Sequence, residues 1–205
     1  MSATDCPSRF GGLTRPPHDG QANPDVISIM QRPATLVQLT ARRGQQPALA
    51  AAIWQRLQLN LPQPGHSTSD GAYTLIWIQP GGWLLQAPAD IGNAFSVQLK
   101  SALAGIAAVV DQSHGKCVLQ VSGLSTLEVF ARCCRLDLHP RVFDAGRCAV
   151  TLVARVSCVL RQVDATPCFD LIVASTFEMW LLEELQEASH AFGSRFIPAN
   201  AVVGM

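Results

Sequence analysis

Residues 134–143 read CRLDLHPRVF. Asp137 and His139 stand two positions apart and Pro140 follows them. Arg135 and Arg141 flank the pair, with Cys133 and Cys134 just before it. Residues of these types can ligate a metal, form an Asp–His general base, or make a polar contact. In an extended segment, positions i and i+2 face the same way. Asp137 and His139 therefore share a side, and Leu136 and Leu138 face inward. Pro140 favours an extended His139. The spacing allows an Asp–His hydrogen bond or a shared contact with a partner. A structural zinc site calls for paired ligands about two to four residues apart, and no convincing set accompanies this pair. A general base needs a nucleophile or cofactor motif nearby, and the sequence shows neither. The residues favour a polar staple that fixes the chain after a helix.

Asp111, Ser113 and His114 invite a triad reading. On a strand, Asp111 and Ser113 point to one face and His114 to the other. A triad needs the histidine between its two partners, so these residues read instead as a polar strand end serving a tight turn. Trp77 and Trp83 flank the turn QPGG at 79–82. Core packing is the default role of each, with ligand stacking as the alternative. No GxxxxGK[ST], HExxH or GxSxG occurs, and Gly81-Gly82 belongs to a turn, not to a strand-to-helix loop.

These residues sit in a chain of 205 residues that is 48% hydrophobic and 15% charged. A soluble monomer carries about 25% charged residues, so part of this surface is expected to be buried against another protein. Net charge is zero, and the only lysines are Lys100 and Lys116. The arginines form no basic run, which argues against a nucleic-acid partner. No apolar stretch reaches the roughly 20 residues of a membrane span. The N-terminus MSATDCPSRFGG has no apolar signal core. A cytoplasmic location is expected, with no membrane partner. The seven cysteines include no CxxC pair. Cys117, Cys133, Cys134, Cys148, Cys158 and Cys168 read as buried thiols in a reducing compartment.

The elements that position these groups follow from periodicity. Residues 1–25 read as a flexible tail. ATLVQLT (34–40) reads as a strand. Pro47 opens a helix with Leu49, Ile53 and Leu57 on one face. Residues 61–71 read as a polar loop. YTLIWI (73–78) and WLLQAP (83–88) form a hairpin, apolar on both faces and so covered on both sides. A helix spans about 93–104. IAAVVDQS and KCVLQVSG read as a second hairpin around His114-Gly115. Ser125 and Glu128 match a capping box, opening a helix with Leu127, Phe130, Ala131 and Cys134 on one face. Residues 150–160 alternate, with Val150, Leu152, Ala154, Val156, Cys158 and Leu160 together on a half-buried strand or bent strand pair. PCFDLIVA (167–174) is a strand. Ser175 and Glu178 match a second capping box. The helix that follows carries Phe177, Trp180, Leu181, Leu185, Ala188 and Phe192 as its apolar stripe. Glu183, Glu184 and Glu187 face water, and Gly193 closes the helix. The expected fold is α+β: two lobes (26–107 and 108–193), each a two-layer sandwich of helices on mostly antiparallel sheet, with a loose tail at 194–205.

Four stretches together resemble one family. They are TLIWIQPGGWLLQAP, VVDQSHGKCVLQVSG, CRLDLHPRVFDAGRCAVTLVARVSCVLRQV and FDLIVASTFEMWLLEEL. In this order they resemble the gamma subunit of heterotetrameric sarcosine oxidase over about residues 34–193. The resemblance implies a fold related to the folate-binding aminomethyltransferases. It implies alpha, beta and delta subunits as partners, and an assembly that oxidatively demethylates sarcosine to glycine. Tetrahydrofolate would accept the one-carbon unit and hydrogen peroxide would be released. FAD, FMN, NAD, zinc and tetrahydrofolate would belong to the partner subunits, with no catalytic, cofactor or metal residue in this chain. Asp137, His139, Pro140, Arg141, His114 and Trp83 are then family-motif residues and candidate subunit contacts. Two alternatives stay open: the equivalent subunit of a related N-methyl amino acid dehydrogenase or oxidase, and a free-standing folate-binding protein.

Overall fold

The computed structural model describes residues 26–164 and 166–199. The tail expected over 1–25 lies outside the described residues, as do residues 200–205. The first half of the chain runs β1 (Ile27–Gln31), β2 (Ala34–Ala41), α1 (Gln46–Leu57), β3 (Ser67–Ser69), β4 (Thr74–Gln79), β5 (Gly82–Pro88) and α2 (Gly92–Ala102). The second half runs β6 (Ala107–Asp111), β7 (Lys116–Ser122), α3 (Thr126–Cys133), β8 (Cys148–Val153), β9 (Val156–Gln162), β10 (Cys168–Ala174), α4 (Glu178–Ala188) and β11 (Ser194–Ile197).

Two sheets result. One has the order β3-β4-β5-β2-β6, and the other β11-β1-β7-β10-β9-β8. All pairings are antiparallel except β1 with β11. Strand alternation sends successive side chains to opposite faces. In the first sheet, Val37, Leu39, Leu75, Trp83 and Leu85 meet Leu49, Ile53 and Leu57 of α1 and Leu99 of α2. In the second, Ile29, Leu119, Val121, Phe169 and Leu171 meet Phe130 of α3 and Leu181 and Leu185 of α4. The inner faces meet each other through Leu36, Ile76 and Leu84 on one side and Val118, Val159 and Ile172 on the other. Helices thus cover both outer faces and the sheets pack back to back. This explains why β4, β5 and β10 are apolar on both faces.

Several expectations are corrected. β6 and β7 form no hairpin: β6 pairs with β2, while β7 lies between β1 and β10. The Gln112–Gly115 connection therefore crosses from one sheet to the other. The loose tail begins instead as strand β11, which pairs with β1 in the register Ile27↔Ser194 to Met30↔Ile197. Neither β1 nor the short β3 inside the polar loop was expected. Residues 150–160 form a strand pair with a reversal at Ala154-Arg155, both at positive φ (48° and 68°). The turn changes which residues share a face. Val153, Val156, Cys158 and Leu160 enter the outer core, while Val150 and Leu152 stand 51% and 57% exposed. On α3, Ala131 is exposed, and Val129 takes its place in the core. Neither capping box forms: α3 and α4 lack side-chain caps. Thr126 Oγ1 donates to the Gly123 carbonyl instead, and Glu178 accepts from Gln31.

Candidate functional site

The CRLDLHPRVF stretch leaves the end of α3 and is anchored from below. Leu138 and Phe143 are buried in the outer core, and the Phe143 ring stacks on Phe169 at 6.4 Å. Cys134 forms a bridge with Val153. Between these anchors the polar groups meet the main chain. Asp137 Oδ1 accepts the N–H of His139 at 2.9 Å. His139 Nδ1 accepts the N–H of Arg141 at 3.2 Å, and the His139 carbonyl accepts those of Val142 and Phe143. An imidazole Nδ1 that accepts leaves its proton on Nε2. The Asp137 carboxylate thus bonds main chain, not the imidazole. This is the staple geometry, an Asx turn followed by a helical turn. Asp137, His139, Pro140 and Arg141 stand exposed on its outer side. Among the described residues, no group of three His, Cys, Asp or Glu side chains is placed to hold a metal ion.

His114 lies elsewhere, in the crossing between the sheets. It lines a cleft of about 310 Å3 with Gln31, Arg32, Ser113, Lys116 and Cys117. Asp111 Oδ1 accepts the Ser113 N–H at 2.9 Å. That N–H, and then the Ser113 hydroxyl, hold the Asp111 carboxyl below the usual carboxylate range. Ser113 Oγ accepts the N–H of Leu36 at 3.0 Å, tying the crossing to β2. Asp111 and Ser113 thus brace the crossing, and their bonds to main-chain N–H groups build no triad with His114. Trp83 is corrected as a candidate contact. It is 1% exposed, with its indole N–H on the Pro62 carbonyl at 3.1 Å. Such a ring is core and cannot meet a partner.

Two polar constellations escaped sequence reasoning. Arg161 Nη2 donates to Asp170 Oδ2 at 2.9 Å, and Gln120 Nε2 donates to Asp170 Oδ1 at 3.1 Å. The Arg161 and Asp170 side chains are 9% and 3% exposed. They pair across β9 and β10. An aspartate inside the apolar run CFDLIVA was the signal, because a buried charge demands a partner. The second is a clasp between the sheets. Arg147 Nη1 lies 3.0 Å from His66 Nε2, and His66 Nδ1 lies 3.0 Å from the Pro64 carbonyl. Main-chain bonds from Ser67 to Gly146 and from Cys148 to Gly65 close it.

All six described cysteines are free thiols. Burial pushes Cys117 and Cys158 up to about 12, and Cys133, Cys148 and Cys168 up to about 11. Cys117 and Cys133 are half-buried and the others buried, and a raised thiol stays protonated at neutral pH, which disfavours the thiolate a nucleophile needs.

The architecture defines a class: an α+β chain of two back-to-back sheets with outer helices. The aminomethyltransferase T of the glycine cleavage system from Bartonella henselae has this fold. Its TM-score is 0.64 at 12% identity, over 86% of this chain and 49% of that one. The sequence pattern of the sarcosine oxidase, gamma subunit family matches residues 42–191, and the chain belongs to that family. It is 30% identical to the sarcosine oxidase subunit gamma of Arthrobacter sp over 64% of this chain and 66% of that one. It is 30% identical to the subunit gamma of Corynebacterium sp. (strain U-96) over 70% of each. A chain of the heterotetrameric sarcosine oxidase from Corynebacterium sp. U-96 superposes with a TM-score of 0.74 at 26% identity, covering 85% of this chain and 89% of that one.

Proposed function

We propose that this chain is a noncatalytic gamma subunit of a heterotetrameric sarcosine oxidase. It works in the cytoplasm with alpha, beta and delta subunits. The assembly demethylates sarcosine to glycine, passes the one-carbon unit to tetrahydrofolate and reduces oxygen to hydrogen peroxide. The observation that carries this reading is the state of the LDLHP motif. Its carboxylate and its imidazole Nδ1 are engaged with main-chain N–H groups, while its outer side faces solvent. That arrangement shapes a surface and leaves no base beside a nucleophile. The glycine pair Gly81-Gly82 offers no dinucleotide cradle. It lies in the β4–β5 hairpin, where no helix N-terminus follows to receive a phosphate. FAD, FMN, NAD and zinc are accordingly assigned to partner subunits, and Asp137, His139, Pro140, Arg141 and His114 to subunit contacts.

Co-purification of the tagged chain with its neighbours tests this. Flavin absorbance, three further chains and sarcosine-dependent peroxide are the expected result. A colourless single chain that binds tetrahydrofolate would overturn it. His139→Ala should lower the yield of assembled complex while turnover per assembled complex holds. A fall in turnover with assembly intact would place His139 in the chemistry instead.

A further inference from the structure

The chain holds more apolar side chain than its cores take up, and part of the excess has a definite address. The stripe of the last helix was expected to bury Phe177 and Trp180. The core takes Leu181, Leu182 and Leu185. Phe177 is 52% exposed, Met179 49% and Trp180 47%. Three large apolar side chains within four residues make a ridge, unlike the scattered single exposures normal on a surface. The backbone at the start of the ridge is held. Ser175 Oγ donates to the His114 carbonyl at 3.1 Å, and Gln31 Nε2 donates to Glu178 Oε1 at 2.6 Å. These bonds fix the 3-10 turn Ser175–Phe177 and the helix start, so the ridge is presented outward on rigid backbone. Further along the exposed side of α4 stand Glu183 and Glu187. The helix, EMWLLEELQEA, carries no basic residue. The face therefore runs from aromatic and thioether groups into an acidic stripe, at whose side Arg155 of the β8–β9 turn meets Glu184 at 3.7 Å.

We infer that this face of α4 docks onto another subunit of the oxidase assembly, at an apolar depression bordered by arginine or lysine. The inference rests on the subunit reading above. Trp and Met are enriched at the centres of interfaces, and a charged rim selects its complement. A two-fold contact with a second copy is disfavoured. It would set Glu183 and Glu187 against a second pair like them; α4 carries no basic residue, and the neighbouring Arg155 already faces Glu184 of its own helix.

The test uses the full chain co-expressed with the other subunits, and reads the affinity of assembly. Trp180→Ala should weaken assembly by about tenfold or more, as an interface anchor does. Glu183→Lys with Glu187→Lys should also weaken it, and the loss should shrink as salt rises. Val97→Glu, on the exposed face of α2, should change nothing. The melting curve of each variant chain separates a docking defect from a folding defect. Should Trp180→Ala melt early, Met179→Ala and the charge reversal still decide the matter. Assembly indistinguishable from wild type in Trp180→Ala would overturn the inference and leave the subunit reading standing. So would self-association that Trp180→Ala abolishes, or protection of Trp180 that disappears when residues 200–205 are removed and no partner is present. Failure of the wild-type chain to assemble with flavin-bearing subunits would overturn both.

Discussion

Asp170 and Arg161 show what one buried charge demands of its neighbours. Each is nearly out of contact with water, and each is neutralised by the other across adjacent strands. Arg161→Met removes one charge and strands the second, which costs about 3–5 kcal/mol. Adding Asp170→Leu to it should recover most of that loss. Denaturant unfolding of the single and double variants checks this. The thiols make a second prediction at this scale. Their folded values of about 11 to 12 lie above the ordinary 9.0. Above pH 9 the unfolded chain releases these protons while the folded chain keeps them. Stability is therefore fully present below pH 9 and is lost as pH rises through about 11 to 12. The melting temperature should fall across that window, and Cys158→Ala should make the fall shallower.

Among the elements, the β8–β9 hairpin carries a visible strain. Ala154 and Arg155 both occupy the left-handed region, which the two-residue turn requires and side chains oppose. Left-handed backbone costs a non-glycine residue roughly 1–2 kcal/mol. Arg155 is 82% exposed at its side chain, and its only salt bridge among the described residues is to Glu184 at 3.7 Å. Such a surface pair contributes little. Arg155→Gly should therefore raise stability by about 1 kcal/mol, read as a higher denaturant midpoint with an unchanged slope. A lower midpoint would mean that the ion pair outweighs the strain. The same turn explains the broken apolar stripe. Alternation continues along each strand, but the reversal puts Thr151 opposite Cys158 and Val150 opposite Val159. Val150 therefore shares a face with Val159, on the opposite side from Cys158.

At the scale of the molecule, the seam between the sheets joins two covered units. Leu36, Ile76 and Leu84 meet Val118, Val159 and Ile172 there, and Cys148 adds to the cluster. The seam is reinforced by the His66–Arg147 clasp and by two chain crossings, β1 to β2 and β6 to β7. The first sheet draws its strands from residues 34–111. The second draws β1 from before that span and the rest from after it. The first sheet with α1 and α2 is therefore one contiguous piece of chain, and the second is split around it. Leu84 is 1% exposed in the seam. Leu84→Ala should cost about 2–5 kcal/mol and lower a single cooperative transition that near- and far-UV signals share. Two separated transitions would show that the units melt independently.

The sequence by itself determined the helices α1, α2 and α4, the β4–β5 hairpin and strand β10. Each is written in a local period, with Pro47 opening α1 and Pro80-Gly81 turning the hairpin. It also carried the ordered motifs of the family and the inward and outward sides of LDLHP. Tertiary structure alone decided the rest. A four-residue connection beside His114 reads as a hairpin turn, because strand propensity does not name a partner. β6 instead finds five residues of β2, and β7 finds β1 and β10. β11 and β1 are short and become strands only beside one another and β7. Ser125 and Ser175 sit in capping sequences, yet Thr126 and Ser175 bond carbonyls outside the helices. An apolar pattern says which side chains avoid water. Whether the core of this chain has room for them is a matter of three-dimensional packing. Trp83 is enclosed by it, and Trp180 is left outside.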